Sequence, residues 1–144
     1  MKTFDELPDT EKTLLLQYPA YISLLAANAD MMMDASEKAA ALKLTHIKTF
    51  STEPLLHSFY KAAEAVFEKN IDLLDKTLPQ GKEERDEAIT RALHRINTVL
   101  QKLGIDYAGA LRRSMKSYKN HISKAHRNVL EYFLFPLPID GISD

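Results

Sequence analysis

The sequence predicts an all-helical fold, a compact bundle of about six helices, and two observations carry that expectation. Apolar residues recur at three, four and seven over most of the chain, the spacing that lines one face of a helix. Only four glycines and six prolines are present, and they fall mostly where that periodicity breaks, as helix punctuation does.

The elements follow in order. A short helix spans residues 9–18, and Pro19, tolerated in a first turn, opens a second through residue 29, with Leu24, Leu25 and Ala26 buried. A third starts at Asp34, which with Glu37 three residues on makes a capping-box-like start. Leu42, Leu44, Ile47 and Phe50 form its apolar side. The fourth begins at Ser51-Thr52-Glu53-Pro54, a hydroxyl cap and an early proline, and carries Leu56, Phe59, Ala63, Val66 and Leu73 before Pro79-Gln80-Gly81 stops it. The fifth covers residues 82–103, with Ile89, Leu93, Ile96, Leu100 and Leu103 on one stripe and Gly104 as its stop. Glu83, Glu84, Asp86 and Glu87 near its start carry the sign that the helix dipole favours. The sixth runs over residues 106–133, where Ala108, Leu111, Met115, Tyr118, Ile122, Ala125, Val129 and Tyr132 make a bundle seam. Residues 136–144 form a non-helical tail, because two prolines keep the helix from continuing.

A chain of 144 residues fits one domain. Its hydrophobic share of 45% and charged share of 27% are those of a folding, soluble chain rather than a disordered one. With no cysteine, disulfides, thiolate zinc sites and cysteine nucleophiles are excluded. The acidic N-terminus lacks a signal-peptide core and no apolar run approaches the roughly 18 residues of a membrane span. The expected location is the cytoplasm. A formal net charge of −1 provides no global field for polyanions, so binding to nucleic acid needs a local patch.

One such patch lies on the sixth helix. Arg112, Arg113, Lys116, Lys119, Lys124 and Arg127 face only Asp106 and Glu131 across residues 106–131, an excess of four positive charges. The first forty residues carry the opposite excess, seven acidic residues against three lysines. The basic row suits nucleic acid or an acidic partner, since clustered Lys and Arg release counterions from phosphates. A solvated outer face of a bundle helix is the favoured reading, because no recognised DNA- or RNA-binding motif accompanies the row.

Catalytic and metal motifs are sparse. No Glu-x-x-His di-iron pattern and no His-Glu-x-x-His zinc helix occurs. Glu53 and His57 stand one turn apart, but Glu53 reads as a capping carboxylate. His121 and His126 are five apart and diverge on a helix. Neither a nucleophile elbow nor a glycine-rich phosphate loop is present, so a hydrolase would need a site assembled between helices. The stretch NADMMMDASE is no EF-hand, for Met32, Ala35 and Ala41 take the places of a ligand, the glycine and the bidentate glutamate.

The same stretch nevertheless resembles a known family. A helix ending in Ala27-x-x-Asp30, a linker closing on Met33, and Glu37 one turn into the next helix are similar to the TerB-like (tellurite resistance protein B-like) helical domain. The glycine usual after the aspartate is Met31 here. Two long helices, a basic helix with SYKNHISKAHRN and a terminal GIS complete the likeness. The resemblance implies a role in stress response or tellurite resistance. With no catalytic motif present, the expected protein is non-enzymatic and acts through protein contacts. The opposite charges of the N-terminal region and the sixth helix, together with the apolar tail Tyr132, Phe133, Leu134, Phe135, Pro136 and Leu137, could pair copies into a homo-oligomer. The resemblance also implies a divalent cation at the joint, with Asp30, Asp34 and Glu37 as ligands. Oxygen ligands of that kind suit Ca2+ or Mg2+.

Overall fold

The computed structural model describes residues 3–27 and 54–125, with side chains as far as residue 120. Every regular element among them is helical, as expected, and no strand is present among the described residues. The helices are α1 (Asp9–Leu16), α2 (Tyr18–Ala27), α3 (His57–Thr77), α4 (Lys82–Gln101) and α5 (Ile105–Ala125), with 3-10 turns at Phe4–Glu6 and Pro54–Leu56. The helix expected to start at Asp34, the tail and the last turns of the sixth expected helix lie outside the described residues.

The chain passes from α1 into α2 through one residue, Gln17, whose backbone stays helical. Pro19 sits in the first turn of α2, where its missing N–H costs no hydrogen bond. Pro19, Ala20, Tyr21, Ile22, Ser23, Leu24 and Ala26 are all buried. A helix apolar on nearly all sides belongs in the middle of a bundle, and α2 packs against α3, α4 and α5 together. The short α1 closes over α3 and α4, and the Asn70 amide of α3 donates to the Leu16 carbonyl at 3.4 Å.

The buried side of α3 differs in phase from its sequence reading. Leu56, Phe59 and Ala63 are buried as expected, but Val66 is half-buried and Leu73 is 46% exposed. Phe67, Asn70, Ile71 and Leu74 complete the seam instead. With 3.6 residues per turn, Leu73 and Leu74 point about 100° apart, and only one can follow the row that Phe59, Ala63 and Phe67 begin. The α-helix also starts at His57, since Pro54–Leu56 winds as a 3-10 turn.

A buried arginine secures the corner between α3 and α4. Arg85, 2% exposed, donates from Nε to the Pro79 carbonyl at 2.9 Å, from Nη2 to the Asp75 carbonyl at 2.9 Å and from Nη1 to Asp75 Oδ1 at 3.0 Å. The planar guanidinium thus satisfies the Asp75 carbonyl, which the end of α3 leaves without an intrahelical donor, and ties it to the Pro79 carbonyl of the turn that follows. Gly104 then turns the chain from α4 into α5 with φ 91°, a conformation that a Cβ disfavours.

Candidate functional site

The site is built on α5, whose two sides have separate tasks. Tyr107, Ala108, Ala110, Leu111, Ser114, Met115 and Tyr118 face the core, and Arg112, Arg113 and Lys116 are exposed on the other side. Periodicity alone makes this division, because residues three and four apart share a face.

The buried side holds α5 with hydroxyls as well as apolar packing. Tyr60 of α3 and Ser114 share a hydrogen bond. Tyr118 and Ser23 of α2 are 3.1 Å apart, and Ser23 donates to the Pro19 carbonyl at 2.8 Å. Burial pushes the Tyr60 phenol above its ordinary range; the Ser114 bond opposes that rise and the phenols of Tyr118, Tyr18 and Tyr107 reinforce it. Neither serine is hydrogen-bonded to an imidazole or carboxylate among the described residues, so neither has the adjacent base that activates a hydroxyl nucleophile. The Tyr107 phenol differs: it is 7% exposed and its hydroxyl has no hydrogen-bond partner among the described residues. Burial raises its pKa, and the Asp5 carboxylate raises it further.

On the outer side, the Arg112 guanidinium donates to Asn97 Oδ1 of α4, from Nε at 3.1 Å and also from Nη2. The same guanidinium lowers the pKa of the Tyr18 phenol, against the larger rise that burial causes. Lys119, half-buried, has its pKa lowered, first by desolvation and then by the charge of Lys116. The structure therefore brings Arg112, Arg113, Lys116 and Lys119 onto one helix. The side chain of Lys124, and Arg127 altogether, lie outside the described residues.

Asp30, Asp34 and Glu37 also lie outside the described residues, as do Glu53, His126 and the side chain of His121. His57 and His94 are exposed. Among the described residues no group of three or more His, Asp or Glu is placed to hold a metal, and no helix is long and apolar enough to cross a membrane.

Sequence reasoning missed the buried hydroxyls. Their signal was present: Tyr107, Ser114 and Tyr118 stand seven and four apart on the apolar side of α5, where a polar atom needs a partner. Arg85 was missed too, being a charged residue among the many of the first turns of α4. No protein-family model matches the chain, and neither a curated protein nor a solved structure matches it.

Proposed function

We propose that this chain is a non-enzymatic helical protein of TerB-like type that works through protein contacts, and that the outer side of α5 is the surface on which an acidic partner docks. One observation carries the reading: Arg112, Arg113 and Lys116 stand together on the exposed side of a helix whose other side is fixed to α2 and α3 by buried hydroxyl bonds. Charges held on a rigid element keep their spacing, which gives electrostatic recognition its specificity. A protein partner is favoured over nucleic acid because the chain as a whole carries a net charge of −1, so attraction is confined to the row itself.

The test is fluorescence anisotropy with a labelled glutamate-rich peptide and, separately, a labelled DNA duplex. The peptide binds the wild-type chain and binding is lost in Arg113→Glu/Lys116→Glu; tighter binding of the duplex than of the peptide supports the nucleic-acid reading instead. The resemblance adds a setting, stress response or tellurite resistance in bacteria, and a Ca2+ or Mg2+ ion at Asp30, Asp34 and Glu37. Calorimetric titration of chelator-stripped protein with each ion gives saturable heat, which Asp30→Asn and Glu37→Gln abolish; absence of heat removes the cation from the reading.

A further inference from the structure

The outer side of α4 carries a charge order that its own helix does not account for. Glu83, Glu87, Arg91 and Arg95 stand four apart and are all exposed, so they form one ridge of two acidic residues followed by two basic ones. The helix dipole favours acids in the first turn and bases in the last. That covers Glu83, but Glu87 lies in the second turn, and the last turn of α4 has no basic residue. Within the helix Glu87 and Arg91 can pair, whereas Glu83 beside Glu87 and Arg91 beside Arg95 are like charges one turn apart, which destabilise an isolated helix. Among the described residues no hydrogen bond or ion pair engages Glu83, Glu87 or Arg91. The neighbouring charges leave the order intact. Arg85, about 160° around the helix from Glu87, binds Pro79 and Asp75 and so keeps the end of α3, with Lys76, on the far side of α4. Lys82 is turned about 100° from Glu83, and Glu84 folds its carboxylate back over Gly81. The Arg95 guanidinium also interacts with the Tyr21 phenol of α2, and its five donors leave room for a carboxylate as well.

Reversed in direction, the row is its own complement. When two α4 helices lie antiparallel, Glu83 of one copy stands opposite Arg95 of the other and Glu87 opposite Arg91, because both pairs are centred on the level of Ile89. Glu83 and Arg95 are about 18 Å apart along the axis, and Glu87 and Arg91 about 6 Å, so the spacing matches on both copies at once. We propose that this row is a homodimer interface, on which a second copy of the chain docks antiparallel about a two-fold axis level with Ile89. The contact is isologous, the same patch on both copies, so it closes at two and does not propagate. Each pair of like charges on one copy then faces a pair of opposite charges on the other. Exposed ion pairs with little apolar area make the dimer weak and reversible. The interface lies on α4 and does not depend on what the α5 row binds.

Sedimentation equilibrium of the full chain tests this. The wild-type mass moves from monomer toward dimer, and no further, as concentration rises, and returns to monomer at about 1 M salt, where charges are screened within about 3 Å. Glu83→Lys/Glu87→Lys and Arg91→Glu/Arg95→Glu each leave one sign along the whole row. Each is therefore monomeric alone, and the two form a one-to-one heterodimer when mixed. A wild-type chain that stays monomeric up to about 1 mM, the weak end of the affinity scale, overturns the proposal. So does a dimer indifferent to salt, a variant that still dimerises alone, or a mixture that remains monomeric. Should a reversal variant lose its helical circular dichroism, the uncharged Glu87→Gln/Arg91→Gln takes its place and weakens dimerisation at least about twofold; an unchanged equilibrium overturns the proposal equally.

Discussion

Tyr60 and Ser114 share a hydrogen bond in the interior, joining the start of α3 to the middle of α5. Ser114 is followed two residues later by Lys116, so the bond fixes the rotation of the helix that displays the basic row. Removing one hydroxyl leaves the other buried without its partner, which costs about 1–2 kcal/mol. Tyr60→Phe and Ser114→Ala should each lose about that much in urea denaturation. The double variant should lose less than the sum, with a coupling of about 1 kcal/mol; strict additivity would show that the two hydroxyls do not depend on each other.

Arg85 offers a second stability test. Its three bonds satisfy two backbone carbonyls and one carboxylate at the corner of α3 and α4. Arg85→Met keeps most of the buried volume but strips those acceptors, and a loss of about 2 kcal/mol is expected. Arg85→Lys should recover less than half of it, because an ammonium cannot reproduce the planar fork. Full recovery by lysine would reduce the role of Arg85 to its charge.

Tyr107 behaves in the opposite sense. Its buried hydroxyl has no partner among the described residues, and against them it carries a desolvation cost with no compensating bond. Tyr107→Phe is expected to raise stability by about 1 kcal/mol. A fall of that size in the same melt would mean that the hydroxyl does donate, most simply through a water shared with the nearby Asp5 carboxylate.

Helix periodicity made the all-helical class, the Gly104 turn and the core side of α5 legible, because each depends on local spacing. Ile89, Ile96, Leu100, Leu111, Met115 and Tyr118 are buried where their spacing put them. The phase of α3 was less legible: Val66, Phe67, Leu73 and Leu74 are all apolar, and only the position of α2 decides which of them face inward. The basic row was visible as composition, but its anchorage was not. Which hydroxyl of α2 or α3 meets Ser114 or Tyr118 depends on how distant segments pack, and Ser23 and Tyr118 are 95 residues apart.

Alkaline pH tests the buried phenols directly. Tyr60 and Tyr107 both have pKa values raised above the ordinary 10.0, with burial the main cause. A raised value means that the folded chain holds the phenolic proton more tightly than the unfolded chain, so the contribution to stability is whole below pH 10 and declines as pH rises above it. Phenolate absorbance should therefore lag behind free tyrosine above pH 10 and rise together with the loss of helical circular dichroism. Phenolate formation complete near pH 10 with the helix signal intact would contradict their burial.

The α5 row as a docking surface is tested most directly by the affinity of the glutamate-rich peptide measured against salt. Raising ionic strength from about 0.05 to 0.5 M shortens the screening length from about 14 to 4 Å. The wild-type chain should lose at least about tenfold in affinity over that range, while Arg113→Glu/Lys116→Glu shows no binding at either end. Equal affinity at both salt concentrations, or undiminished binding by the variant, would contradict an electrostatic docking surface on α5.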